Sequence, residues 1–235
     1  HVPYYREIFE KLGATKDSDI VLEDMPILNK ALLRDNFEAL KSSDLEDRAW
    51  YTNRSGGSTG EPVQLVQDQD YFVTSQARKA VAFEWAGLES GDRLIRLWGS
   101  ERDITDGGVG WKAAVKGYIN NTITLNAFRM TPRDMRRYID VINRQGPSVI
   151  HAYANAVYEL ARFAEATGLK VAAQKSVVST SGTLHPFLRE TISRVFGCPV
   201  FDQYGSREVS CIAAECERHD GLHVSAETLI VEVLD

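Results

Sequence analysis

The sequence predicts an α/β protein with a mostly parallel sheet flanked by helices. Two observations carry this expectation. From Trp50 onward, short apolar runs alternate with amphipathic stretches of about ten to fifteen residues, the pattern of strand–helix–strand units. Glycine or proline stands at most junctions, so the periodic stretches have defined starts and stops.

Residues 4–12 have helical apolar spacing and end at Gly13, a plausible cap. The pattern returns over 29–40 with Asn29 as N-cap, after an extended, proline-bearing connector at 22–28. Residues 1–50 therefore read as a helical lead-in and 51–235 as an α/β region. In that region 62–66 reads as a strand, with Thr52 a strand residue upstream, and 70–87 as a long amphipathic helix stopped by Gly87. Residues 94–98 and 122–125 read as strands, with a helix over 109–118 between them. Thr131-Pro132 caps and opens a helix running to Gln145, since proline suits the first helical position. Strands at 148–153, 175–179 and 200–203 are separated by helices at 156–167 and 186–196, which Gly168 and Gly197 stop. Residues 228–234 read as a final strand.

At 235 residues and 43% hydrophobic content the chain can bury a sizeable core. A net charge of −6 argues against a nucleic-acid surface, which needs clustered Lys and Arg. There is no apolar run of about 18 residues, so no membrane span is expected. Three cysteines make no disulfide framework, and no leader is visible. The expected compartment is the cytoplasm.

Two stretches carry chemistry. Ser55-Gly56-Gly57-Ser58-Thr59-Gly60-Glu61-Pro62 suits neither a helix nor a buried strand. It reads either as a solvated loop or as a nest of exposed N–H groups and hydroxyls that suits phosphate oxygens. It is not a Walker A loop, because the Gly-Lys-Ser/Thr ending is absent. Phe201-Asp202-Gln203-Tyr204-Gly205-Ser206-Arg207-Glu208 groups an aromatic ring, a glycine, a hydroxyl and a carboxylate at the end of a strand, where open α/β sheets bind ligands. Tyr204 is either a base-stacking ring or a core aromatic, and Glu208 either a cation ligand or a solvated charge.

In that order along the chain, the two stretches resemble the phosphate loop and the Tyr-Gly-x-Thr/Ser-Glu motif of adenylate-forming enzymes, the acyl-CoA synthetase superfamily. Val2-Pro3-Tyr4-Tyr5, Met25-Pro26-Ile27-Leu28-Asn29-Lys30, Tyr204-Gly205-Ser206-Arg207-Glu208-Val209, Glu215-Cys216 and Gly221-Leu222-His223 look like landmarks of its phenylacetate–CoA ligase and CapK branch. The resemblance implies the large N-terminal domain of such an enzyme, truncated here. It also implies ATP-dependent activation of a carboxylic acid as its acyl-adenylate and transfer to a thiol such as CoA or another acceptor. CapK adds an association with capsular polysaccharide synthesis.

Residue by residue, the resemblance implies that Ser55, Gly56, Gly57, Ser58, Thr59 and Gly60 wrap the β- and γ-phosphates of ATP. Relatives often carry Lys where Val63 stands. Ser206 would contact the α-phosphate and Glu208 would help hold Mg²⁺, with Asp202, Gln203, Tyr204 and Gly205 completing the nucleotide side. Ser181-Gly182-Thr183 is similar to the turn that meets adenine, although Gly-Thr-Leu-His stands where relatives often have Gly-Glu-Pro; a helix N-cap is the other reading of Thr183. Trp98, Gly99, His151 and Tyr153 end strands and read either as acyl-pocket wall or as packing, with Gly107–Trp111 a further turn near them. The ribose-binding Asp, hinge and mobile domain of relatives have no counterpart in 1–235, so this stretch alone is expected to turn over poorly.

Cys211, Cys216, His219 and His223 stand close enough in sequence to hold Zn²⁺, against buried free cysteines as the plainer reading. A catalytically inactive nucleotide-binding or scaffold protein is the rival for the chain as a whole. The acid, the acceptor and the oligomeric state are not encoded in any motif.

Overall fold

The computed structural model describes residues 1–15, 22–55, 62–99 and 121–233. The expected helix at 109–118, the turn at 107–111 and Gly56, Gly57, Ser58, Thr59 and Gly60 lie outside them. Two compact units are formed, His1–Gln76 and Ala77–Asp235. Residue 50, the expected boundary, falls within the first unit.

In the first unit, helix α1 (Pro3–Lys11) opens on proline and ends before Gly13. Helix α2 (Lys30–Asp35) starts where expected, because Asn29 Oδ1 accepts the Leu32 N–H at 2.9 Å. It stops five residues short of Leu40. Asn36 leaves the helix, and its side-chain amide donates to the Leu32 carbonyl at 3.0 Å, capping the last turn itself. Strands β1 (Trp50–Arg54) and β2 (Gln64–Asp68) pair antiparallel, Trp50 opposite Asp68 and Arg54 opposite Gln64. The glycine loop is thus a hairpin connection. Arg48 ties the base of β2 to the preceding turn, donating to Asp68 and Asp44 at 2.8 Å each.

The second unit holds a seven-stranded sheet, with helix α3 (Gln69–Trp85) crossing the unit boundary. The strands are β3 (Leu94–Trp98), β4 (Thr122–Asn126), β5 (Val149–Tyr153), β6 (Ser176–Thr180), β7 (Val200–Ser206), β8 (Ser210–Ala214) and β9 (His223–Val224). Their spatial order is β4-β3-β5-β6-β7-β8-β9. The first five are parallel, and β8 and β9 add on antiparallel. Helices α4 (Pro132–Gln145), α5 (Ala154–Thr167) and α6 (Pro186–Phe196) cover one face. Their apolar stripes meet Ile95, Leu97, Ile150, Ala152 and Val177 from the strands, all at most 1% exposed. Burial of these side chains out of water is the main stabilisation, about 1.5–3 kcal/mol for each large one.

On the opposite face the C-terminal turns of α3 bring Phe83 and Ala86 onto Val149, Val178 and Phe201. Ser176 Oγ donates to the Ala86 carbonyl at 2.6 Å and fixes that end. A capping box at α4 sets its start: the Asp134 N–H donates to Thr131 Oγ1 at 3.2 Å and the Thr131 N–H to Asp134 Oδ2 at 3.3 Å. Among the described residues, no helix is long and apolar enough to cross a membrane.

Two expectations fail. Residues 228–233 pair with no strand among the described residues, and Ile230 and Val233 are exposed. Alternating apolar side chains suit a strand, but only a neighbouring ladder makes one. Strand β7 also does not stop at Gln203. It loses its parallel partner β6 after Asp202 and continues to Ser206 by pairing with β8.

Candidate functional site at the carboxyl edge of the sheet

The order β4-β3-β5 makes β3 the strand from which successive connections diverge, the topological switch point where open α/β sheets bind ligands. Trp98 and Gly99 stand at the carboxyl end of β3, His151 and Tyr153 at that of β5. Arg96 lies opposite His151 in the ladder, so Arg96, Trp98, His151 and Tyr153 share the face that α3 covers. The Trp98 ring centroid is 4.4 Å from Tyr153 and 4.8 Å from His151, and Phe83 meets His151 edge-on at 5.1 Å. The Arg96 guanidinium lies 4.7 Å from the Trp98 ring centroid. Gly99 turns the chain away at φ 132°, a value that side chains rarely adopt.

His151 is 4% exposed, and its Nε2 lies 3.1 Å from Gln203 Oε1. Gln203 Nε2 points to Cys211 Sγ at 3.4 Å, which leaves Gln203 Oε1 to accept and assigns the ring proton of His151 to Nε2. Burial pushes the His151 pKa down to about 3, aided by the charges of Arg96 and Lys79 and partly opposed by the Gln203 bond. The ring is neutral at physiological pH.

One strand over, β6 ends in Thr180, and Ser181 takes a left-handed backbone at φ 61°. Thr183 does not cap α6: the cap residue is His185, whose carbonyl accepts the N–H groups of Leu188 and Arg189. The N-cap reading of Thr183 is thereby overturned. Proline at the first helical position places the cap one residue before it, two past Thr183.

Tyr204, Gly205 and Ser206 are part of β7 rather than a segment after it. A bulge between Tyr204 and Gly205 kinks the strand into its antiparallel pairing. Only glycine fits at 205, because a Cβ there would lie 2.4 Å from the Ser210 carbonyl oxygen. Tyr204 is 58% exposed, which overturns its reading as a core aromatic. Ser206 Oγ accepts the Val209 N–H at 3.3 Å, and half-buried Glu208 lies in the hairpin turn. Arg78, which no sequence signal singled out, pins that hairpin by donating to the Val209 carbonyl at 2.6 Å and to Thr228 Oγ1 at 2.7 Å.

Behind the motif, the Asp202 N–H donates to Glu215 Oε2 at 2.8 Å. Arg189 grips Glu215 through both carboxylate oxygens, at 2.6 and 3.0 Å, and His219 Nδ1 lies 3.1 Å away. Burial alone would raise the Glu215 pKa, but Arg189 and the Asp202 N–H outweigh it and hold the group below the usual carboxylate range. Asp202 is shifted the other way, by burial first and by the Glu215 charge second.

The four Cys and His residues do not converge. Cys211 accepts from Gln203, Cys216 Sγ lies 3.2 Å from His223 Nε2, and His219 turns to Glu215. Among the described residues, no group of three or more His, Cys, Asp or Glu is placed to hold a metal.

Strands β3, β5, β6 and β7 therefore bring Trp98 and Gly99, His151 and Tyr153, Ser181–Thr183, and Tyr204–Ser206 to one sheet edge. Ser55 belongs to the other unit. It is 4% exposed and closes the base of the glycine loop: its N–H donates to the Val63 carbonyl at 2.8 Å and its Oγ accepts the Val63 N–H at 2.9 Å.

The chain is 25% identical to the phenylacetate–coenzyme A ligase of Pseudomonas putida over all of its length and 54% of that protein. It is 21% identical to protein CapK of Staphylococcus aureus over 97% of its length and 51% of that protein. It thus spans about half the length of the curated relatives it matches. No family model matches. Among solved structures, 2-hydroxyisobutyryl-CoA ligase with 2-HIB-AMP and CoA aligns over 94% of the chain, with TM-score 0.69 in the thioesterification state and 0.67 in the open conformation, each at 18% identity. These cover 49% and 54% of those chains. The resemblance to adenylate-forming enzymes read from the motifs holds in sequence and in fold.

Proposed function

We propose that this chain binds ATP and a small-molecule carboxylic acid and joins them as an acyl-adenylate, the acyl group then passing to a thiol such as CoA or another acceptor. The observation that carries this reading is the shared carboxyl edge of β3, β5, β6 and β7. It sets an aromatic cleft and an exposed Tyr204 on neighbouring parallel strands. The similarity to an acid–CoA ligase over the whole chain supports it.

In the reaction a carboxylate oxygen attacks the α-phosphorus of ATP and the bond to pyrophosphate breaks. Two anions must meet, so positioning and charge stabilisation do most of the work. Trp98, His151 and Tyr153 hold the acid against their rings, and neutral His151 adds no charge of its own. Ser181–Thr183 offers backbone groups to adenine, and exposed Tyr204 packs against the base or the acyl group. Ser206 donates its hydroxyl to the α-phosphate. The glycine loop, with Ser58 and Thr59, receives the β- and γ-phosphates.

The described residues fit Mg²⁺ only in the way this ion usually binds, through one carboxylate with phosphate oxygens and water completing the shell. Glu208 supplies that carboxylate, and the ion would neutralise charge on the phosphates. We extend the proposal to a cytoplasmic enzyme with an acceptor in capsular polysaccharide synthesis, on the CapK likeness alone. Calorimetric titration of ATP with Mg²⁺ tests the nucleotide half. Binding that disappears in Ser58→Ala/Thr59→Ala supports the site, and undiminished binding in that variant contradicts the role of the loop.

A further inference from the structure

We propose that Lys79 and Arg96 form an anion-binding wall beside the Trp98–His151–Tyr153 cleft, and that the acid taken there carries a second anionic group. The inference rests on the adenylation reading for the identity of the cleft and deepens it by naming the substrate class.

Arg96 stands inside an otherwise apolar strand, Leu94-Ile95-Arg96-Leu97-Trp98, and its guanidinium lies over the Trp98 ring. Across from it, α3 presents Arg78 and Lys79. Both lie close enough to Arg96, or to each other, for their charges to act on the Lys79 ammonium. Arg78 is occupied by the Val209 carbonyl and the Thr228 hydroxyl. Lys79 is half-buried, and among the described residues it meets no carboxylate and no hydrogen-bond acceptor.

Crowding like charges into a partly desolvated space is unfavourable, and the Lys79 ammonium is weakened by burial, by Arg96 and by Arg78. An anion placed among them reverses the sign of that interaction. Its natural approach is from the aromatic cleft, because Arg96 and Lys79 both act on buried His151, which forms part of the cleft wall. A flat or short acid seated against Trp98 and Tyr153 would present its reacting carboxylate to the nucleotide side. Its distal anion would then turn toward Lys79.

The test compares matched pairs that differ in one terminal carboxylate: butyrate with succinate, hexanoate with adipate, and benzoate with terephthalate. Dissociation constants are measured with the intact protein by tryptophan fluorescence or calorimetry at fixed ionic strength. At least one diacid is expected to bind about tenfold tighter than its partner, the size of one charge-assisted contact. Lys79→Met should remove that preference with unchanged circular dichroism, and Lys79→Arg should keep it. Equal binding within every pair, or a preference that survives in Lys79→Met, overturns the inference. Inorganic phosphate that competes as well as the diacid also overturns it, by assigning the cations to a phosphate. Pyrophosphate release with monoacids and no charge preference sinks this inference and leaves adenylation standing. A diacid preference without pyrophosphate release does the reverse.

Discussion

His151 and Gln203 are joined across an intervening strand. His151 Nε2 lies 3.1 Å from Gln203 Oε1, although β5 and β7 each pair with β6 and not with each other. The bond ties the aromatic cleft to the strand that carries Tyr204. His151→Phe keeps a ring in the cleft but leaves Gln203 Oε1 buried without its partner, at about 1–3 kcal/mol. Urea unfolding should show that loss, and Gln203→Leu added to His151→Phe should recover part of it.

Acid should expose the same residue. The His151 pKa falls from an ordinary 6.5 to about 3 in the fold, so between those values the unfolded chain holds the proton and the folded chain does not. Its contribution is fully present above pH 6.5 and is lost as pH falls toward 3, by about 1.4 kcal/mol per pH unit. His151→Gln should therefore flatten the decline in stability over that window relative to the parent protein. An unchanged slope would show that the ring takes up its proton freely in the fold.

Gly205 is a steric requirement of the bulge, since a Cβ would lie 2.4 Å from the Ser210 oxygen. The neighbour is backbone and yields only if the hairpin shifts. Gly205→Ala should cost about 1–3 kcal/mol and move the amide resonances of Tyr204 through Cys211.

How much of this was legible in the sequence depends on whether the signal was local. Residues 94–98, 132–145 and 186–196 form the elements expected of them to the residue, because their caps and breakers lie at their own ends. The early stop of α2 was local too, but Asn36 reads as an ordinary helix-face polar residue until its amide turns back to Leu32. The length of β7 was not legible, because its later partner β8 follows only after a turn that propensity does not announce. In the site, strand ends located Trp98, Tyr153 and the Tyr204 motif. Arg78 and Lys79 look like solvent-facing charges on a helix, and only the packing of α3 gives them meaning. Arg96 did carry a signal, a lone cation within an apolar strand.

Arg189 and Glu215 anchor the back of β7. Glu215 is 6% exposed, so removing its cation strands a buried carboxylate. Arg189→Met should cost about 3 kcal/mol, read as a lowered melting temperature at neutral pH. The difference from the parent should shrink in acid, because Glu215 is held below the usual carboxylate range and its stabilisation is lost as pH falls through its folded pKa.

The central claim is that this fold activates a carboxylic acid with ATP. Acid-dependent exchange of labelled pyrophosphate into ATP by the intact protein tests it most directly, with Glu208→Ala alongside. The account predicts exchange that requires an acid and Mg²⁺ and falls by about a hundredfold or more in the variant. Exchange absent across a broad acid panel, or indifferent to Glu208, would contradict it and favour a nucleotide-binding scaffold.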